Sequence, residues 1–256
     1  MTLERVGLAR AFAVLSIGLL ATACTVVTGG KAQAPARSGP QSLTGQTIRQ
    51  VLVGDKTLSR ILQQPFIIED RLPPRFGGPE VLQNLGSASP AECLGVAEML
   101  NQSDYPSRKV NDIAVENWRH AVMSTTLTGV KEGVVSLPTA ADAAALFSTF
   151  AQQWQRCDGH ELVLPDPVLR LKAKISNVQI APSVLAGTVS IAFASSRADE
   201  VPIFAGRAIG EWGNCLVEVE VDFFNASGRS LQGSGVTNAT AADIARVMMD
   251  RASALS

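Results

Sequence analysis

The fold is decided by the stretch Pro138-Thr-Ala-Ala-Asp-Ala-Ala-Ala-Leu-Phe-Ser-Thr-Phe-Ala-Gln-Gln-Trp-Gln-Arg-Cys157, which predicts one long helix between two groups of strands. Thr139 can cap the helix, and Asp142 three residues later can close a capping box. Apolar side chains then recur at helical spacing, and the pair Asp158-Gly159 ends the pattern. We therefore expect a helix that ends at Cys157.

Alternating apolar side chains on both sides of this helix predict β-strands. Two strands precede it, within residues 111–137, and four follow it. The four are predicted at 169–180, 186–194, 201–210 and 216–224. The break Trp212-Gly-Asn214 makes the last two strands a hairpin.

Further helices complete the predicted order. One begins near Pro90, because Ser89 can cap it, Pro90 suits the first helical position and Glu92 follows three residues after the cap. The last covers 241–255, and a shorter helix is predicted over 55–63. The core order α-ββ-α-ββββ-α predicts an α+β single domain, with helices packed on a twisted antiparallel sheet.

Composition excludes several functional classes. The chain has 256 residues, 22 basic and 23 acidic side chains, and a formal net charge of -1. A strongly basic nucleic-acid binder is therefore excluded. With two His and no clustered Cys among its four, the chain has little material for a metal centre, and we expect no metal and no cofactor.

The N-terminus indicates secretion and a lipid anchor. Arg5 and Arg10 precede the apolar run 11–20, which is too short to span a bilayer and is typical of a signal peptide over residues 1–23. Leu20-Ala-Thr-Ala-Cys24 resembles the bacterial lipobox, with Ala21 where Leu is commonest. Acylation (palmitate or a similar chain) of Cys24 predicts attachment to the extracytoplasmic face of the cell membrane. The alternative is an ordinary signal peptide followed by an incidental Cys.

A tether separates this anchor from the folded domain. Residues 24–46 are rich in Gly, Pro, Ser, Thr and Ala and show no apolar period. Such composition predicts a flexible stalk. The folded domain is then expected over residues 47–256.

Several short motifs occur in order along residues 55–255. They are Ser89-Pro-Ala-Glu-Cys93-Leu-Gly, Leu137-Pro-Thr-Ala-Ala-Asp-Ala143, Trp154-x-x-Cys157-x-Gly159, Gly206-Arg-Ala-Ile209, Gly213-Asn214 before Leu216-Val-Glu-Val-Glu-Val221, and Ala241-Ala-Asp-Ile-Ala245. The set resembles the extracellular sensor domain of the mycobacterial receptor serine/threonine kinase family, in the kinase-free lipoprotein version. This resemblance implies a sensor-like domain with disulfides and a groove for an unidentified extracellular ligand.

The cysteines depart from the family pattern. Family members often carry four domain cysteines, whereas this chain has three after Cys24, and Ala205 stands where a family Cys is expected. Three cysteines allow three single bridges. The predicted topology brings Cys93 and Cys157 to the same edge of the sheet and places Cys215 at the opposite edge. We therefore expect a Cys93–Cys157 disulfide and a free Cys215.

Candidate ligand-binding residues lie on the last strand and at two tryptophans. Glu218, Glu220 and Asp222 alternate with valines, so they share one face, which we expect to be solvated. If that face is instead the floor of the groove, it favours a cationic or polyhydroxylated ligand. Trp118 and Trp212 can stack on such a ligand or cap the core.

No catalytic motif was found in the sequence. His120 and His160 stand apart from any nucleophile motif. The predicted function is that of a membrane-anchored lipoprotein that binds an unidentified extracellular small molecule or protein without catalysis, and that needs a partner to signal. A carrier of lipid or cell-wall precursor and an unrecognised hydrolase are the two alternatives.

Overall fold

The computed structural model describes residues 41–106, 109–121, 127–164, 170–193, 202–223 and 235–256. The predicted signal peptide, Cys24 and most of the predicted tether lie outside the described residues. The packed domain begins at least at Leu43, which is buried. The amide side chain of Asn214 binds the backbone of Leu43, accepting from its N–H at 2.7 Å and donating to its carbonyl at 2.9 Å. Leu43 therefore belongs to the domain, although the predicted tether included it.

The described residues form one antiparallel sheet of nine strands with helices on it. The strands are β1 (Phe66–Ile68), β2 (Arg75–Gly77), β3 (Asp112–His120), β4 (Leu127–Ser136), β5 (Glu161–Val163), β6 (Leu171–Ile180), β7 (Val184–Phe193), β8 (Ile203–Trp212) and β9 (Cys215–Phe223). The α-helices are α1 (Asp55–Leu62), α2 (Leu94–Ala97), α3 (Ala140–Cys157) and α4 (Gly235–Leu255).

The strand order explains how distant residues meet. The sheet runs β1-β3-β4-β9-β8-β7-β6-β5, and β2 pairs with β3 beside β1. The chain leaves the sheet after β4, crosses through α3 to β5 at the opposite edge, and runs back towards β4 from β6 to β9 as a meander. As a result, β9 pairs with β4, which lies more than seventy residues earlier in the chain. The last strand is therefore next to the β3–β4 pair.

The predicted order of helices and strands is confirmed. Thr139 Oγ1 accepts a hydrogen bond from the Asp142 N–H at 3.1 Å, so Thr139 caps the helix as predicted, whereas the Asp142 carboxylate accepts from the Thr139 hydroxyl at 2.7 Å and not from the Thr139 backbone N–H that a capping box requires. The hairpin between β8 and β9 turns through Gly213, whose φ of 56° lies in the left-handed region that Gly tolerates. The three-residue strands β1, β2 and β5 were not predicted.

The helix predicted near Pro90 is much shorter than expected. A 3₁₀ turn covers Ala91–Cys93, and α2 adds one further turn without a capping side chain. The backbone of Ser89, the predicted cap, forms a bridge with Val163, exchanging hydrogen bonds of 3.2 and 3.0 Å. Ser89, which local sequence predicts as a helix cap, is therefore paired with Val163 in the folded domain.

The sheet is covered on both faces. One core packs α1, α4 and the 3₁₀ helix Gly45–Val51 against Val217, Val219 and Val221. The other packs α3 and the segment 81–110 against side chains such as Leu216 and Ile209. The predicted solvated face is therefore wrong, because Glu218 and Glu220 lie under this second layer, with 2% and 9% of their surface exposed.

The predicted disulfide is confirmed. Cys93 and Cys157 are bonded, with their Cα atoms 5.7 Å apart, and the bond ties the start of α2 to the end of α3. Cys215 is free and buried at the start of β9, as predicted. Within the described chain, no helix combines the length and the apolar character needed to cross a membrane.

Candidate functional site

Four charged side chains form a buried ion network on the face of the sheet that α3 covers. Arg207 on β8 pairs in register with Glu220 on β9, and Glu220 pairs in register with Lys131 on β4. Glu218 lies two residues before Glu220 and therefore on the same face. Because directly opposite Cβ atoms in an antiparallel pair lie about 4.5–5.5 Å apart, the register brings all four charges together.

The buried ion network is closed by short contacts. Arg207 donates from Nη2 to Glu218 Oε2 at 2.9 Å and from Nη1 to Glu220 Oε2 at 3.3 Å. Lys131 Nζ lies 3.0 Å from Glu220 Oε1. The two cations face the two carboxylates, Glu98 adds a further acidic group that interacts with Lys131 and Glu220, and the Arg207 side chain has no exposed surface. Such a network is stable only while its partners remain together.

The layer above the sheet completes the network. Tyr105 donates its hydroxyl to Glu218 Oε1 at 2.6 Å, and the Leu100 N–H donates to the same oxygen at 3.1 Å. Burial raises the pKa of the Tyr105 hydroxyl well above its usual value, and the charge of Glu218 adds to the effect. The phenol is thus a fixed donor that orients Glu218.

The two glutamates of the network titrate differently. Burial raises the pKa of Glu218, and the opposing charge of Arg207 does not fully offset it. Burial also disfavours the charged form of Glu220, but Lys131 and Arg207 together outweigh it, and the pKa of Glu220 falls below its usual value. Glu220 is therefore a fixed anion between two cations.

A groove lies beside this network, where Lys131 and Glu220 reach the surface. Its carboxylate half has a volume of about 320 Å³. That half is lined by Glu69, Leu72, Asn117, Trp118, Arg119, Thr128, Gly129, Val130, Lys131, Glu220 and Asp222. Its arginine half has a volume of about 290 Å³ and is lined by Arg71, Leu72, Pro73, Arg75, Gln83, Val115, Asn117 and Lys131. The two halves share Leu72, Asn117 and Lys131.

A hydrogen bond marks the border between the halves. Asn117 on β3 donates from Nδ2 to the carbonyl of Leu72 at 3.2 Å, and so joins the sheet to the segment that follows β1. This contact fixes the wall of the groove to its floor. Lys131, which pairs in register with Asn117, is available to both halves.

Charges in the carboxylate half are mostly paired. Arg119 lies 4.0 Å from Glu69, and Lys131 holds Glu220. Asp222 forms no salt bridge with any described residue, and burial together with the charge of Glu220 raises its pKa to about 7. At neutral pH the Asp222 carboxyl can therefore both donate and accept a hydrogen bond.

The arginine half carries unpaired cations. Arg71 and Arg75 are exposed, and neither forms a salt bridge within the described part of the chain. The described residues that line this half include no Asp or Glu. This half of the groove therefore presents positive charge to solvent.

The structure separates the predicted site residues. Glu220 and Asp222 line the groove, whereas Glu218 lies beneath it in the buried ion network. Trp118 borders the carboxylate half but is only 8% exposed and packs in the core on the α4 side. Trp212 is 40% exposed and pairs with Cys215, seven residues along β9 from Asp222. At about 3.4 Å per residue, roughly 24 Å separates them, so Trp212 is not part of the groove.

Sequence reasoning missed the cations of the site. Arg207 interrupts the apolar run 203–210 of β8 and pairs with a strand of alternating glutamates, which is a signal for a buried ion pair. Lys131 likewise interrupts the apolar side chains of β4, between Val130 and Val134. Arg71 and Arg75 lie in a Pro-containing segment, and no local pattern marks them. Among the residues that the structure describes, no cluster of three or more His, Cys, Asp and Glu side chains is suited to hold a metal ion.

Comparisons with known proteins bear on the whole domain. A family model described as PknH-like extracellular domain matches residues 43–251. The crystal structure of the extracellular domain of PknH from Mycobacterium tuberculosis is similar in fold, with a TM-score of 0.65 and 16% sequence identity over 84% of this chain and 98% of that chain.

Two other solved structures match more weakly. An uncharacterised protein from Mycobacterium smegmatis has a TM-score of 0.34 and 10% identity over 72% of this chain and 96% of its own. A hypothetical protein from Helicobacter pylori has a TM-score of 0.28 and 10% identity over 50% of this chain and 86% of its own. No curated protein matches the sequence.

Proposed function

Because the chain belongs to the family of PknH-like extracellular domains, we propose that it is a lipid-anchored, extracytoplasmic sensor-type module that binds a small polar ligand in the groove and catalyses no reaction. Family membership confirms the resemblance that the sequence motifs indicated.

The observation that supports ligand binding is the polar floor of the groove above a buried ion network. Replacing such a network by apolar side chains of similar volume is often neutral or stabilising, so stability alone gives little reason to retain it. Here the network holds Lys131 and Glu220 at the groove surface, at 3.0 Å from each other. Fixed charged groups at the base of a cavity are the ordinary means of orienting a small polar ligand.

Among the described residues, the lining of the groove offers no Ser–His or Cys–His pair, so the hydrolase alternative would have to use its carboxylates. The described residues that line its two halves include no Ser, Cys or His. His160 is exposed beyond the end of α3, and His120 ends β3. The same lining disfavours the carrier hypothesis, since an acyl chain in the groove would cover the Lys131–Glu220 ion pair and the Asp222 carboxyl, which has no salt bridge to a described residue, with hydrocarbon that offers no hydrogen bonds.

The proposed anchor rests on the N-terminal sequence. A thioether-linked diacylglycerol at Cys24 would place the domain on the outer side of the cytoplasmic membrane, and residues 25–42 would link the anchor to the domain. A Cys24→Ala variant should leave the membrane fraction of its host, while a Cys215→Ala variant should remain there. Equal membrane retention of both variants would contradict the anchor.

Ligand binding is tested by thermal unfolding of the full chain with a panel of neutral, anionic and cationic polar small molecules. A true groove ligand should raise the Tm of the wild type, and the increase should disappear in Asp222→Asn. It should persist in Trp212→Ala, which alters an exposed side chain away from the groove. A ligand that acts equally on both variants binds elsewhere and would contradict the proposed site.

Catalysis is tested separately with a broad panel of ester and glycoside substrates. We expect no turnover by the wild type above that of variants with Ala at His120, His160, Glu218 or Asp222. Turnover that one of these substitutions abolishes in a folded protein would establish the hydrolase alternative.

A further inference from the structure

The two halves of the groove differ in charge in a way that specifies a ligand class. In the carboxylate half, Glu69 and Glu220 are engaged by Arg119 and Lys131. In the arginine half, neither the Arg71 nor the Arg75 guanidinium forms a salt bridge with a described residue, although the Arg71 backbone N–H donates to Glu69 Oε1 at 3.1 Å, and no acidic side chain among the described residues lines this half. One end of the groove is therefore open to an anion.

The carboxylate half is suited to hydroxyl groups rather than to a cation. Its one carboxyl without a salt bridge to a described residue is that of Asp222, whose pKa of about 7 leaves it partly neutral at neutral pH. The amide of Asn117, the ammonium of Lys131 and the carboxylate of Glu220 follow one another across β3, β4 and β9. Two strand spacings of about 4.8 Å each separate the first of these groups from the last, a distance of about 10 Å. Over that distance hydrogen-bond donors and acceptors are available to several hydroxyl groups of one ligand.

Size and lining constrain the occupant further. Each half has a volume close to 300 Å³, the lower limit of small-molecule sites. Leu72 and Pro73 offer C–H surface on the wall, and Leu72 is exposed. This combination fits the C–H edge of one saturated ring with polar substituents.

We propose that the groove binds a polyhydroxylated anion, a phosphorylated sugar or polyol, with its anionic group between Arg71 and Arg75 and its hydroxyls over Lys131, Glu220 and Asp222. This inference rests on the proposed function, because it names the ligand class of the same site. Arg side chains bind phosphate through paired, charge-assisted hydrogen bonds. Two sources share this chemistry: a free sugar or polyol phosphate, and the phosphorylated polyol headgroup of a membrane lipid.

The test is calorimetric titration of the full chain in detergent with myo-inositol 1-phosphate, myo-inositol and inorganic phosphate. The phosphate ester should bind at least about tenfold more tightly than either fragment, because its two groups engage both halves at once. The double variant Arg71→Gln/Arg75→Gln should weaken the ester by about tenfold or more, because its charge-assisted contacts are lost, and leave binding of myo-inositol unchanged.

A matched control removes two positive charges on the other side of the sheet. Lys56 and Arg60 are exposed on α1, which packs in the core on the α4 side. Lys56→Gln/Arg60→Gln should keep wild-type affinity for the ester. Equal weakening in both double variants would reduce the effect to net charge and overturn the proposal, as would an ester that binds no more tightly than myo-inositol.

The two sources are separated by comparing lysophosphatidylinositol in micelles with free myo-inositol 1-phosphate. Tighter binding of the lipid identifies a headgroup site, and equal or weaker binding identifies a soluble ligand. The same titrations distinguish a wrong ligand class from a wrong binding site. A neutral or cationic ligand whose binding depends on Asp222 but not on Arg71 and Arg75 overturns the ligand class and keeps the site.

Discussion

Removing Arg207 is the sharpest test of the buried ion network. The guanidinium is fully buried and contacts Glu218 at 2.9 Å and Glu220 at 3.3 Å. In Arg207→Met, Glu220 keeps Lys131, but Glu218 keeps only the hydroxyl of Tyr105 and a backbone N–H. Removing one partner of a buried ion pair costs about 3–5 kcal/mol of unfolding free energy, because the remaining charge is left without a counter-ion.

The pH dependence of this loss follows from the charge that remains. Burial already raises the pKa of Glu218, and the loss of Arg207 removes the attraction that opposes that rise. At a pH between the two pKa values, Glu218 is protonated in the folded variant and ionised in the unfolded chain. The stability of the variant therefore increases as the pH falls towards the unfolded pKa. For one proton the gain is at most about 1.4 kcal/mol per pH unit.

Urea unfolding followed by tryptophan fluorescence, with the disulfide intact, measures both effects. Relative to the wild type, Arg207→Met should lose several kcal/mol at about pH 8, and the loss should be smaller at about pH 6. The double variant Arg207→Met/Glu218→Gln removes the stranded charge and should regain most of the stability. A loss below about 1 kcal/mol, or an equal loss at both pH values, would mean that Glu218 is not left as a buried charge without a counter-ion.

Three further predictions concern other parts of the domain. Reduction of the Cys93–Cys157 disulfide, which spans 64 positions, should lower the free energy of unfolding by about 4 kcal/mol in the chain-entropy model, seen as a lower urea midpoint with dithiothreitol. Burial raises the pKa of Glu132 to about 8, so wild-type stability should fall as pH rises from about 4.5 to about 8, by up to about 1.4 kcal/mol per unit, and Glu132→Gln should remove that slope in urea titrations. Burial raises the pKa of Cys215 to about 12, so Ellman's reagent should leave it unmodified in the folded protein and react with it after unfolding, and rapid labelling of the native chain would contradict its placement.

The sequence predicts elements well where the signal is local. The helix α3 depends on a cap between Thr139 and Asp142 and on a helical apolar repeat, all within twenty residues. The strands β6 to β9 each carry ten or nearly ten residues of strand pattern. The short strands β1, β2 and β5 have three residues each, which is too few for a period to show.

The candidate site was only partly predictable, because alternation tells which side chains share a face and not what covers that face. Glu218, Glu220 and Asp222 share a face as predicted. The segment around Tyr105 then covers Glu218 and leaves Asp222 at the groove. Their cationic partners lie on β4 and β8, and only strand pairing reveals them.

The capped helix and the order of the principal strands can be predicted from local sequence, since caps and periodicity are properties of neighbouring residues. The pairing of Cys93 with Cys157 follows from the order of those elements. The row of Arg207, Glu220 and Lys131, and the groove beside it, depend on how the strands pair in the folded domain and have no local signature. The reason is the crossing of the chain through α3 and its return from β6 to β9, which places β9 against β4 and so brings together charges from strands far apart in the sequence.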